Sequence, residues 1–475
     1  MPYADLRAFL TKLEACGKLR RIPKPVDKDW EIAAVSKIAF ERIPEPRRPA
    51  LFFERVQGFD IPVVTGVLGA SRSIYCLALE CNPDEVQEKW GEAELHPIPP
   101  RLISDGPVHE IVSLQERADV TFLPVPTWTV EKDPAPYITS GYIITADPES
   151  RRRNVGTYRL QLKGPRKLGL FINYLQGGRH HVEKNNKLKQ PTPVAVVIGA
   201  DPVIGLASVS RLPQDMDELA VAGGLRGQAV DVVRCVTVDL EVPATAEIVV
   251  EGVIRPNEFE SEGPFGEYTG YMGPKAMSYI LDVQCITHRN RPIFQAFHSQ
   301  MPPSESSCIR SIGREATLYK HLAEDLGLPV CGVHLLESGG AAAYLVISLK
   351  KTHPVQPRTV MCGAWSFAPQ FGKITVVVDD DIDIRDVNAV NWALSFRVQP
   401  ERDVVIMPGM AAVSLDPSQA PVDVPQEDLS RRVSSKIGID ATRKHAFPDV
   451  AVPPKEHLEL VRKNWQSYGF PEGIL

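Results

Sequence analysis

Glu262-Gly263-Pro264-Phe265-Gly266-Glu267, continuing Tyr268-Thr269-Gly270-Tyr271, carries two carboxylates five residues apart. Pro264 fixes φ and has no N–H to donate, and the flanking glycines permit backbone angles that other residues avoid. Ion pairs on a helix surface sit three or four residues apart, so this spacing is not helical. The segment reads as a shaped loop. On either side lie Val- and Ile-rich runs, Glu247–Arg255 and Tyr279–His288, with the character of strands. The loop then belongs to a β-domain in the middle of the chain. Two solvated glutamates on a turn are the plain reading. A stiff loop with two acids and an aromatic ring also suits acid–base chemistry, and the loop alone does not decide between them.

Working outward, Tyr142–Ala146, Gly156–Leu162, Ala195–Gly199, Ala229–Val242 and Pro292–Phe297 also read as strands, with one helix over Asp215–Gly224. So many strands with few helices suggest a barrel-like centre. Upstream, Leu6, Phe9, Leu10 and Leu13 mark an amphipathic helix over Asp5–Cys16, with Asp5 as N-cap. Helices over Trp30–Arg42 and Ser73–Glu80 and apolar runs at Ala50–Phe53 and Ile61–Val67 make an α/β lobe. Pro-rich Glu94–Pro126 reads as a connection across the surface. Downstream, Ser307–Gly327 reads as a connecting helix. Strands Ala343–Leu349, Ile374–Val378 and Asp403–Ile406, with helix Val387–Phe396, form a second α/β lobe. Lys455–Trp465 is a tail helix. The expected division is an N-terminal lobe over 1–125, a β-domain over 126–306, a connector over 307–328 and a C-terminal lobe over 329–475.

A chain of 475 residues can bury a large core in two or three domains. A formal net charge of −6, without Lys/Arg runs, argues against nucleic-acid or anionic-membrane partners. The eight cysteines are scattered with no CxxC pair, which fits a reducing compartment and argues against a thiolate zinc site. A polar N-terminus and the lack of a bilayer-length apolar run point to a soluble, cytoplasmic protein.

Four further constellations could carry chemistry. Arg159 lies five residues after Asn154, on the face of its strand opposite to Tyr158. It could grip a carboxylate with two hydrogen bonds or be a surface arginine. His180-His181 follows Gly177-Gly178-Arg179, and at most one of two adjacent histidines suits a metal. Asp215, Asp217 and Glu218 fit the first turn of a helix or a cation site. Asp379-Asp380-Asp381 with Asp383 could hold magnesium or simply end a strand. No GxGxxG-helix, GxxxxGK[ST], G-x-S-x-G or HExxH pattern occurs.

Together these pieces resemble the UbiD-type decarboxylases. The resemblance rests on Asn154-Val-Gly-Thr-Tyr-Arg159, Ile198-Gly-Ala-Asp-Pro202, Asp239-Leu-Glu-Val-Pro243 with Ala246-Glu247, and Glu262–Glu267, in order and spacing. Trp365-Ser-Phe367 and Val377–Asp383 are also similar, so the likeness runs from about residue 5 to about residue 465. It implies a central split β-barrel holding prenylated FMN, made by a partner flavin prenyltransferase. It implies a C-terminal lobe that mediates oligomerisation, as a homodimer or homohexamer. It places the catalytic trio at Arg159, Glu262 and Glu267. Mn2+ (or Mg2+) at the cofactor phosphate would be held by Asn154, His180 (chosen over His181) and Glu218, with K+ nearby. Gly156, Thr157, Tyr158, Ser208, Val209, Ser210 and Lys373 complete the implied cofactor set.

The implied reaction is reversible, non-oxidative decarboxylation of an aromatic, heteroaromatic or α,β-unsaturated acid, releasing carbon dioxide. Arg159 would orient the carboxylate and pair with Glu262, leaving Glu267 as proton donor. His298, Met301, Ser304 and the segment Pro408–Val413 could line the substrate pocket. The rival readings are an FMN oxidoreductase and an inactive cofactor carrier or assembly subunit.

Overall fold

Two long antiparallel strands, Ile248–Glu262 and Ala276–His288, run from Ile248 opposite His288 to Glu262 opposite Ala276. The protein is described by a computed structural model over residues 3–469, except 174–175, 211, 214–215, 412, 414, 422–423 and 425–432. The long pair anchors a nine-stranded, wholly antiparallel sheet. On one side follow Lys167–Leu170, Leu160–Gly164 and Tyr137–Ile138; on the other Thr192–Ile198, Gly141–Ala146 and Arg153–Thr157. Ile111–Leu114 pairs with Ala276–His288.

Thr192–Ile198 explains why a central strand reads as continuously apolar. Ala195 and Val197 point into one core with Leu6, Phe9 and Leu68 of the N-terminal lobe. Val194, Val196 and Ile198 point into a second core with Leu160, Leu281 and Phe294. Side chains alternate with period two, and both faces are covered, so positions 193–198 are all apolar. Each such Val or Ile contributes roughly 1.5–3 kcal/mol by burial.

The N-terminal lobe opens with helix Leu6–Ala15, where the Asp5 carboxylate accepts from the Ala8 N–H at 2.8 Å. Its sheet contains Leu19–Ile22, Ala50–Phe53 and Val63–Thr65. Its fourth strand is Phe294–Gln295, which pairs with Val63–Val64 rather than with the central sheet, where the sequence suggests it. The connecting helix is Glu305–Lys320, started by a reciprocal Ser304/Ser307 cap and continued by a π-helical turn, His321–Asp325. The C-terminal lobe orders its strands Val330–Leu335, Tyr344–Leu349, Ile374–Asp379, Ser434–Ala441, Val404–Met410, with Gln356–Phe367 and Val387–Arg397 among its helices.

Several local expectations change. The Gly-Arg-His-His stretch is not a loop but the first turn of helix Gly177–Lys187. Ala229–Val242 divides into a hairpin, Asp231–Arg234 with Glu241–Pro243. Gly156–Leu162 breaks at Tyr158–Arg159. The helix near Glu218 spans Glu218–Arg226, with Asp217 as N-cap; Asp215 lies outside the described residues. The Asp379 cluster is an ion-pair knot: Arg397 binds Asp379 at 2.9 Å and Asp381 at 2.8 Å, and both carboxylates face that buried guanidinium. Among the described residues no helix is long and apolar enough to cross a membrane.

Candidate active site

Arg159 sits in the break between Arg153–Thr157 and Leu160–Gly164, so its side chain is free of the strand's alternation. Its Nε donates to Glu262 Oε1 at 2.9 Å and its Nη2 to Glu262 Oε2 at 2.8 Å. Its Nη1 donates to Glu267 Oε1. The rings of Phe171 and Phe265 lie 4.5 and 5.1 Å from the guanidinium carbon.

The loop supplies the two acids differently. Glu262 is the last residue of its long strand and is fully buried behind Arg159. After a cis Gly263–Pro264 bond, Phe265–Gly266 pairs with Met272–Gly273. Glu267 begins the tight turn between them, where its carbonyl accepts from Gly270 N–H at 2.9 Å. Gly270 has φ of +87°, which favours glycine. The Glu267 side chain faces a cavity.

Burial pushes the Glu267 carboxyl above the usual glutamate range, against the pull of Arg159 and Arg310. Burial also works against the Arg159 charge, but Glu267 and Glu262 outweigh it and raise the guanidinium further. The pair of acids is therefore unequal in setting: one is fully buried behind arginine, the other is half-buried at the cavity wall, where its carboxyl is raised above the usual glutamate range.

That cavity encloses about 2090 Å³ and reaches from Arg159 and Glu267 to Asn154 and Glu218. Trp90 of the N-terminal lobe, Arg310 of the connecting helix and Phe371 and Met410 of the C-terminal lobe also line it. At its far end Glu218 Oε2 accepts from Val155 N–H at 2.9 Å, and burial pushes its carboxyl up to about 7. Asn154 Nδ2 donates to the Tyr158 hydroxyl at 3.3 Å, and Thr157 Oγ1 meets Ser208 Oγ at 2.7 Å. A Cβ on Gly177 would stand 2.0 Å from Asn154 Oδ1, so glycine is required there to admit that amide.

His180 and His181 both line the cavity and differ in setting. His180 is exposed on its helix. His181 is buried, with Nδ1 2.9 Å from Thr145 Oγ1, and burial pushes its pKa down to about 4. Ser208 is buried, Val209 is exposed and Ser210 is half-buried; all three line the cavity. Among the described residues no cluster of three His, Cys, Asp or Glu side chains could hold a metal ion. A cation here would therefore depend on the Asn154 amide oxygen beside one imidazole and Glu218. Amide, imidazole and carboxylate donors fit manganese or magnesium, and a cation would keep the buried Glu218 ionised.

Lys373 is not on the cavity wall; its ammonium is taken by Asp416 at 2.7 Å and Ser418 at 2.5 Å. His298 is buried between the rings of Phe40 and Trp128 rather than on the cavity, Met301 is exposed, and Ser304 caps the connecting helix. Of Pro408–Val413, Gly409, Met410, Ala411 and Val413 line the cavity, and residue 412 lies outside the described residues. Sequence reasoning missed Tyr137, Phe171 and Arg310. Arg310 had a signal: Ser306, Arg310, Gly313 and Thr317 recur at helical spacing and all face the cavity.

An arginine locked by one buried glutamate and reaching a second at a cavity wall, on a mixed α/β frame, is an arrangement suited to acid–base chemistry. Three family models match the chain, described as the N-terminal, Rift-related and C-terminal domains of 3-octaprenyl-4-hydroxybenzoate carboxy-lyase, over residues 10–94, 101–302 and 307–441. The UbiD-class enzyme HmfF from Pelotomaculum thermopropionicum, solved with FMN, is 37% identical with TM-score 0.86, over 96% of this chain and 99% of that one. Vanillic acid decarboxylase from Sedimentibacter hydroxybenzoicus is 28% identical with TM-score 0.84, over 99% and 100%. Klebsiella pneumoniae 3,4-dihydroxybenzoic acid decarboxylase is 25% identical with TM-score 0.84, over 96% and 99%. The chain belongs to the UbiD family of carboxy-lyases.

Proposed function

We propose that the protein catalyses reversible, non-oxidative decarboxylation of an aromatic or heteroaromatic acid, with prenylated FMN supplied by a flavin prenyltransferase. One observation carries the reading: Arg159 is bound by both oxygens of buried Glu262 while its Nη1 reaches Glu267 at the cavity wall. Two relatives support the substrate class, being decarboxylases of vanillic and 3,4-dihydroxybenzoic acid. HmfF supports the cofactor, having been solved with FMN and, in an evolved dimeric form, with prFMN.

Bound in the cavity, the modified flavin supplies the electron sink for the negative charge left when carbon dioxide departs. The protein's own residues do the rest. Glu262 fixes the plane of the Arg159 guanidinium, which orients the substrate carboxylate. Phe171 and Phe265 cover that guanidinium and keep water off it. Glu267, raised by burial, delivers the proton that replaces the carboxylate. Asn154, His180 and Glu218 would hold Mn2+ (or Mg2+) at the cofactor phosphate, with K+ and Ser208, Val209 and Ser210 nearby. Lys373 would have to leave Asp416 to reach the same phosphate. The boundaries 125, 306 and 328 divide the lobes, the C-terminal lobe mediates a homodimer or homohexamer, and the enzyme works in the cytoplasm.

Co-expression with a flavin prenyltransferase, followed by a screen of aromatic, furan and pyrrole carboxylic acids for carbon dioxide release, tests this reading. Release without an added electron acceptor is expected. Turnover only with an electron acceptor would favour an ordinary FMN oxidoreductase.

A further inference from the structure

The start of helix Glu218–Arg226 is fastened to the strand that carries Asn154, Arg153–Thr157. Arg153 opens that strand, one residue before Asn154. Its Nη1 donates to Asp217 Oδ2 at 2.9 Å and its Nη2 to Glu241 Oε2 at 2.6 Å. Asp217 is the N-cap of the helix, and its other oxygen, Oδ1, accepts from Leu219 N–H at 2.9 Å. One carboxylate therefore caps the helix and takes the arginine at once. The next residue, Glu218, accepts from Val155 N–H at 2.9 Å. Asn154 thus lies between two strand residues, Arg153 and Val155, that each bind the start of the same helix.

The two anchors differ in what they use. The Val155 bond occupies a carboxylate oxygen of Glu218 itself, on the group that a cation would need. The Arg153–Asp217 bond holds the helix start without using Glu218 or the Asn154 amide. Glu241 belongs to the hairpin of Asp231–Arg234 with Glu241–Pro243, so the hairpin braces the same guanidinium from a second side. The planar fork of arginine allows one side chain to bind carboxylates on two separate elements. The far end of the helix is fixed independently, where Arg226 Nε donates to Asp201 Oδ2 at 2.8 Å. Arg153 lines the cavity beside Asn154 and Glu218, but both its terminal nitrogens are engaged by carboxylates.

We propose that Arg153 is a positioning residue: through Asp217 it holds the start of the helix so that Glu218 and Asn154 face one cation at the cofactor phosphate. It touches neither the cation nor the substrate. The grip is a property of the folded chain; its consequence for the cation rests on the function proposed above.

A double-mutant cycle tests both parts. Arg153→Met removes the guanidinium. Asp217→Asn keeps an oxygen that can cap the helix and removes the carboxylate that grips Arg153. The first readout is Mn2+ binding to the full chain with FMN present, followed by the electron paramagnetic resonance signal of free Mn2+. Each single variant is expected to weaken Mn2+ binding about tenfold. The double variant should bind no more than about twofold worse than the weaker single one. Arg153→Lys, which keeps a positive charge for Asp217, should bind better than Arg153→Met. The second readout is the thermal unfolding midpoint of the full chain without FMN or metal, where the shift from Arg153→Met should shrink by half or more once Asp217 is Asn. Additive midpoint shifts overturn the grip. Additive effects on Mn2+ binding overturn the positioning role, as do unchanged binding in Asp217→Asn and binding by Arg153→Lys no better than by Arg153→Met. A wild-type chain that binds no Mn2+ beside FMN sinks the cation reading and the positioning role together. That failure is told apart from a failed grip because the unfolding cycle needs neither ligand.

Discussion

Arg159 meets Glu262 edge to edge, Nε to Oε1 at 2.9 Å and Nη2 to Oε2 at 2.8 Å, and the carboxylate is fully buried. A lysine offers one point charge in place of that planar fork. Arg159→Lys should therefore lower kcat/KM by at least about 100-fold, near 3 kcal/mol of transition-state stabilisation. Arg159→Ala should also cost about 3 kcal/mol of stability, because it strands Glu262 in the interior. Steady-state kinetics and thermal unfolding check the two halves.

On the proposed reading, Glu267 is the acid that delivers the proton. Burial holds its protonated form to higher pH than an ordinary glutamate. As pH rises through that raised value the donor is lost, so kcat should fall on the alkaline side. Glu267→Gln should remove that limb and about 10²–10⁴ of the rate. An unchanged alkaline limb in the variant would assign it to another group.

Glu218 and Asn154 should matter for loading rather than for chemistry. Asn154→Ala and Glu218→Ala are each expected to lower bound manganese and flavin per chain at least roughly tenfold at fixed concentrations. Elemental analysis and flavin absorbance read this directly, and circular dichroism should stay as in the wild type.

His298 gives a stability prediction. Burial first, and the Lys37 charge second, push its pKa from 6.5 down to about 3. The unfolded chain therefore binds a proton that the folded chain refuses. That contribution to stability is present above about pH 6.5 and is lost as pH falls toward 3. Between those values the slope is up to about 1.4 kcal/mol per pH unit. His298→Leu should flatten the fall of the unfolding midpoint between pH 6 and pH 4.

Legibility followed the locality of each signal. Helix Leu6–Ala15 was readable because Leu6, Phe9, Leu10 and Leu13 form one apolar stripe and Asp5 caps it. The long strand Ile248–Glu262 looked as though it ended at Arg255, since exposed polar residues follow. It continues past a register shift between Ile254 and Phe259, held by pairing with Ala276–Tyr279. Helix Gly177–Lys187 hid because it starts with two glycines and buries Gly178, His181, Val182 and Asn185, helical spacing in unusual residues. Phe294–Gln295 returned to the N-terminal sheet through pairing that no local pattern encodes. Arg159 and Glu262 are 103 residues apart, so their motifs named the partners but only the fold brings them together.

On the proposed reading, Arg159, Glu262 and Glu267 run a decarboxylation in which a solvent-derived proton replaces the carboxylate. The direct measurement is turnover of an accepted acid in D2O by the flavin-loaded enzyme, without an electron acceptor. The expected result is one deuteron on the carbon that carried the carboxylate for each carbon dioxide released, with Glu267→Gln slowing that incorporation at least about 100-fold. Carbon dioxide release without deuteron incorporation, or incorporation at the wild-type rate in Glu267→Gln, would contradict it.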